Sequence, residues 1–82
     1  MGSKERPKPK HLGKKLRTIR TDILGLSQTE MSKRLGLKVD YSAVSQYELG
    51  TREPNLLIVL KYARLAKVPM ETLVDDKMKL PK

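Results

Sequence analysis

Cysteine is absent from this 82-residue chain, as are phenylalanine and tryptophan, and its only aromatics are three tyrosines. Without cysteine there is neither a disulfide framework nor a thiolate metal site, and one histidine among scattered carboxylates does not make a ligand set. No metal and no cofactor are therefore expected. Lacking the large aromatics, the core has to be built from Leu, Ile, Val, Met and Ala, which suits packed helices better than strands. Long apolar runs are missing too: none approaches the roughly 20 residues needed to span a bilayer, and the charged N-terminus has no apolar segment behind it. A cytoplasmic location follows.

Acidic residues are few. Nine of them face eighteen Lys and Arg, for a formal charge of +9, and for so short a chain this implies a polyanionic partner. Charge alone does not name the partner, since excess positive charge also occurs on proteins that are merely soluble. A chain of this length buries one modest core at most, leaving little room for a cleft, and no catalytic motif is present; an enzyme is not expected.

What is there is organised in short blocks. Residues 1–10 interleave Lys4, Arg6, Lys8 and Lys10 with Pro7 and Pro9; with few apolar side chains and much proline they read as a flexible basic arm. Met1-Gly2-Ser3 reads as a cloning remnant and is set aside. Leu12, Leu16, Ile19 and Ile23 then recur at helical spacing, predicting a first helix over about His11 to Leu24 that ends at Gly25. Ser27-Gln28-Thr29-Glu30 is a capping box opening a second helix, with Met31 and Leu35 on its buried face, small Ser32 allowing a close neighbour, and Gly36 as its stop. Asp40 can cap a third helix over about Tyr41 to Leu49, ended by Gly50, and Asn55 a fourth that runs to Ala66 before Lys67-Val68-Pro69 interrupts it. A short fifth helix covers about Met70 to Val74. The expected organisation is an arm (1–10), a domain (11–75) and a tail (76–82).

Gln28 to Pro54, QTEMSKRLGLKVDYSAVSQYELGTREP, resembles the phage-repressor and Cro-like helix-turn-helix family, also called the Xre family. Gln at the start of helix two, a small residue four later, Gly at the turn, an apolar β-branched residue inside helix three, and then Glu-x-Gly with a nearby Pro coincide, and the likeness extends more weakly over Leu12 to Leu73. Two departures stand out: Gly36 to Glu48 is two residues longer than the usual spacing, and Arg20 to Gln28 carries one extra residue. Helix three is accordingly aligned backward from Glu48.

The resemblance implies an all-α, five-helix, lambda-repressor-like domain that binds double-stranded DNA in a sequence-specific way and regulates transcription, as a repressor, in a bacterial cytoplasm or nucleoid. It places helix three in the major groove with Tyr41, Ser42 and Gln46 as the base-reading positions. An amide such as that of Gln46 can bond adenine in bidentate fashion, and Ser42 either kind of base edge; Tyr41 stacks on sugar or a thymine methyl, or contacts a phosphate. Gln28 at the start of helix two, with Lys38 and Arg52 beside it, would hold phosphates, and Arg20 with Glu48 would form a structural pair tying helix one to helix three. Lys14, Lys15 and Arg17 are left unassigned, since some of them must point away from DNA.

Helix four has more apolar residues than one buried face takes. With Leu56, Val59, Tyr62, Ala63 and Ala66 assigned to the core, Leu57, Ile58 and Leu65 remain as a dimer surface for a second copy of the chain. An antitoxin partnered by a toxin, a controller of a restriction system, and an adaptor that has lost DNA binding are the alternatives; the basic arm and the polar Ser42 and Gln46 argue against the last.

Overall fold

Side-chain caps fix where two of the helices begin. The computed structural model describes residues 11–36 and 42–80, and within them every regular element is helical: α1 (Leu12–Thr18) running into a π-helical turn (Ile19–Ile23), then α2 (Gln28–Leu35), α3 (Ser42–Leu49), α4 (Leu56–Ala66) and α5 (Met70–Val74). The all-α expectation is met. The basic arm, Lys38, Asp40 and Tyr41 lie outside the described residues.

At the start of α2 the Ser27 Oγ accepts from the Glu30 N–H at 3.1 Å while Glu30 Oε1 accepts from the Ser27 N–H at 2.8 Å, so two otherwise orphaned donors are satisfied reciprocally. This bonding holds the exposed Glu30 carboxyl below its usual pKa. The helix stops at Gly36, whose φ of +79° is left-handed, and Lys61 closes it by donating to the Leu35 carbonyl at 2.9 Å. Asn55 caps α4, its Oδ1 accepting from the Ile58 N–H at 3.0 Å.

The π-turn is where the first helix departs from expectation. Leu24 N–H donates to the Ile19 carbonyl, five residues back, and Leu26 N–H to that of Arg20. The Thr21 hydroxyl takes the Arg17 carbonyl at 2.9 Å, an acceptor that an unbroken α-helix would give to the Thr21 N–H. A π-turn holds one residue more than an α-turn, so the extra residue between Arg20 and Gln28 is absorbed within the helix. The wider turn also swings Ile23 off the apolar stripe: it is exposed, whereas Leu12, Leu16 and Ile19 are buried.

These three pack with Met31 and Leu35 of α2, Ala43, Val44 and Tyr47 of α3, Ile58, Val59, Tyr62 and Ala63 of α4, and Leu73 of α5. The expected inward face of α4 needs correction. Leu56 is 66% exposed while Ile58 is 7% exposed, because the core face follows 58, 59, 62 and 63, an i, i+1, i+4, i+5 stripe.

Three features with no expectation attached hold α1 in place. Lys15 is buried, and its Nζ donates to the Thr72 and Asp75 carbonyls at 2.7 and 2.9 Å, satisfying acceptors at the end of α5 where a cation is also favoured by the helix dipole. The chain after α5 folds back on α1, with the His11 N–H donating to Asp76 Oδ1 at 3.1 Å and Leu80 packing against the core.

Gly13 is the third. A Cβ there would stand 2.6 Å from the Glu48 carbonyl oxygen and 3.0 Å from that of Tyr47, so α1 rests on the end of α3 at a distance only glycine permits. Helix propensity favours alanine by about 1 kcal/mol, but the neighbour is backbone and cannot step aside. Gly13→Ala is expected to destabilise by a net ~1–2 kcal/mol, read as a lower urea midpoint at unchanged m-value; a gain in stability would show that the two helices are not in tight contact.

Candidate nucleic-acid interface

Helix α3 buries Ala43, Val44 and Tyr47, which turns Ser42, Ser45, Gln46 and Leu49 outward. These four follow i, i+3, i+4, i+7 and line one face. The three polar members are half-buried, and Leu49 is 73% exposed. Ser42 and Gln46 were expected on this face. Ser45 and Leu49 were missed, although the same periodicity that put Val44 and Tyr47 inside would have found them.

Behind the stripe, Arg20 and Glu48 meet. Arg20 Nε donates to Glu48 Oε2 at 2.6 Å and Nη2 to Oε1 at 3.1 Å, a two-pronged pairing of nearly buried side chains, 12% and 6% exposed. The third guanidinium nitrogen donates to the Leu26 carbonyl at 3.0 Å. One arginine thus joins the π-turn, the loop before α2 and the end of α3. The Glu48 hydrogen bond, outweighing the cost of burial, raises the Arg20 pKa above its already high value, so the cation persists at every physiological pH. Close by, burial is the largest cause keeping the Tyr62 phenol neutral, reinforced by Glu48 and Tyr47; its buried hydroxyl has no hydrogen-bond partner among the described residues.

Gln28, at the start of α2, reaches the same carboxylate, its Nε2 lying 3.5 Å from Glu48 Oε1. Around this contact is an open groove of about 220 Å³ lined by Arg17, Arg20, Gln28, Ser45, Glu48 and Leu49. Arg17, unassigned from the sequence, therefore stands on the same side as the α3 stripe and the start of α2, whereas Lys15 faces α5.

Arg52, expected as a phosphate contact, is exposed in the loop after α3. Its Nη1 donates to Gln46 Oε1 at 3.4 Å, and its guanidinium carbon lies 5.9 Å from the centre of the Tyr47 ring. Lys38 and Tyr41 fall outside the described residues. The dimer surface drawn from Leu57, Ile58 and Leu65 is corrected: Ile58 belongs to the core and Leu65 is half-buried against it, leaving Leu57 exposed beside Leu56. Among the described residues no helix is long and apolar enough to cross a membrane.

Two solved structures are similar to this chain in fold. The restriction-modification controller protein C.AhdI from Aeromonas hydrophila is 34% identical, with a TM-score of 0.63 over 76% of this chain and 89% of the other. The P22 c2 repressor protein, solved in complex with synthetic operator 9T, is 26% identical, with a TM-score of 0.67 over 79% of this chain and 94% of the other. No curated protein matches the chain. The helix-turn-helix family matches residues 16–73, which takes in the π-turn, the capped α2, the outward stripe of α3 and the core of α4, and the chain belongs to that family.

Proposed function

We propose that the protein binds double-stranded DNA sequence-specifically and regulates transcription, with α3 in the major groove. The observation that carries this reading is the α3 stripe of Ser42, Ser45, Gln46 and Leu49. It supplies hydrogen-bonding groups and one apolar side chain of the kind that contacts a thymine methyl, and it contains no charge that would have to be desolvated against a base. The work is placement of donors and acceptors; no nucleophile or general base is required. Gln46 and Ser42 read base edges together with Tyr41, while Gln28 and Lys38 hold backbone phosphates, Arg17 adding a charge beside Gln28. The +9 chain supplies the long-range attraction, and the protein works in the cytoplasm.

A second copy of the chain would dock through Leu56 and Leu57, neighbouring apolar side chains that are 66% and 67% exposed, so that two copies read half-sites about 34 Å apart. The likeness to C.AhdI favours, within this class, a controller of a restriction-modification system. Selection from random duplex DNA tests the core of the reading: a recovered motif with two-fold symmetry supports it, and an unenriched pool refutes it.

Reading separates from holding in a pair of variants. Gln46→Ala is expected to cost about 1–3 kcal/mol on the selected site and to relax one base pair per half-site. Lys38→Ala is expected to weaken specific and non-specific duplexes by similar factors, because a phosphate contact carries no sequence information. If Gln46→Ala weakens all sequences equally while Val39 or Asp40 variants change the motif, the base-reading segment begins before α3.

A further inference from the structure

We infer that Arg52 is a specificity-positioning residue: it fixes which hydrogen-bonding edge Gln46 presents to DNA. This rests on the base-reading role proposed above for Gln46. A half-exposed glutamine has a terminal amide that can turn either its carbonyl or its NH2 toward a ligand. Here the loop after α3 grips both ends of the residue. The Thr51 and Arg52 N–H groups donate to the Gln46 backbone carbonyl at 3.0 and 3.3 Å, joined by the Thr51 hydroxyl at 3.4 Å, and Arg52 Nη1 takes the side-chain Oε1.

Arg52 is itself steered by the ring of Tyr47, a residue 6% exposed and therefore fixed in the core. A planar guanidinium held over a ring by a cation–π contact and carrying five N–H donors can direct one to Gln46 and keep the others for a phosphate. A lysine in its place would keep the charge and lose the plane.

The consequence is chemical. With Oε1 turned to Arg52, the Gln46 amide offers its NH2 outward, so it suits the paired acceptors of guanine, O6 and N7, better than adenine, whose N6 amino group needs the glutamine oxygen. The structure thus points to guanine at the base pair read by Gln46, and away from the adenine that the side chain alone suggests.

The test is selection from random duplexes with the full chain and its Arg52→Lys, Arg52→Ala and Gln46→Ala variants, each first shown to be folded by circular dichroism. Guanine is expected at the Gln46-dependent position, with both Arg52 variants lowering its preference over adenine by about tenfold. Arg52→Lys should do so while keeping non-specific affinity near that of the parent, a split that a pure phosphate contact does not produce. Uniform weakening of all sequences by the Arg52 variants with an unchanged motif overturns the inference and leaves the reading by Gln46 intact. If Gln46→Ala itself leaves the motif unchanged, both fall together.

Discussion

Replacing Glu48 by alanine is expected to lower the stability of the domain by about 3–5 kcal/mol, because it strands the Arg20 guanidinium in a nearly buried position. Both prongs of the pair are lost together, as is the neighbouring contact with Gln28. In a domain of this size the loss corresponds to a fall in Tm of more than ~10 °C, measurable by thermal circular dichroism. Arg20→Met should cost a similar amount from the other side. The double variant Arg20→Met with Glu48→Ala should cost clearly less than the two single costs added, since removing both charges leaves neither uncompensated. Additive losses would show that the two side chains are not coupled.

The sign with pH follows from the raised pKa of Arg20. A cationic group whose folded pKa exceeds its unfolded value gives a contribution fully present below the unfolded pKa and lost only as pH rises through the folded one. For an arginine that window lies in strong alkali, so the arginine's contribution is constant across neutral pH. The position of α3 relative to the start of α2 is therefore not proton-switched by this residue, which suits a scaffold whose task is to hold a reading face.

Much of the fold was legible because its boundaries are local. Ser27 with Glu30, Asn55, Gly25 and Gly36 act within a few residues of themselves, and each stands where its helix starts or stops. The parts that were not legible depend on partners far along the chain. Lys14 and Lys15 are indistinguishable as neighbouring charges, yet Lys15 is buried because α5, about 57 residues on, ends with its carbonyls facing it. Gly13 carries no special φ and no turn; its requirement is the oxygen of Glu48. The extra residue before Gln28 could be counted, but not that the helix would widen into a π-turn over Ile19–Ile23 and leave Ile23 exposed. At the site, helical periodicity placed Ser42 and Gln46 on the outer face, whereas the grip of Arg52 on Gln46 depends on how the loop after α3 returns.

The face of α4 is where sequence and structure part most sharply, and substitution there has an expected effect at least as large as breaking the ion pair. Leu56, Leu57 and Ile58 are equivalent as hydrophobic letters, and three successive residues cannot all face one way on a helix. The Asn55 cap takes the Ile58 N–H, starting α4 so that Ile58 and Val59 begin the inward stripe while Leu56 and Leu57 are left outside. Ile58→Glu therefore puts a carboxylate into the core with no partner, at a cost of several kcal/mol, comparable to the whole stability of a small domain, about 5 kcal/mol or little more; an unfolded chain is expected by circular dichroism. Leu57→Glu places the same charge in water and should leave the helical signal and the melting transition nearly unchanged. If the exposed leucines seat a second copy, sedimentation of Leu57→Glu will show a folded monomer beside a dimeric parent, and binding to a two-fold site will fall to that of one half-site. A folded, monomeric Ile58→Glu would instead mean that Ile58 lies at the interface and that the α4 stripe is turned by about 100° per residue of misassignment.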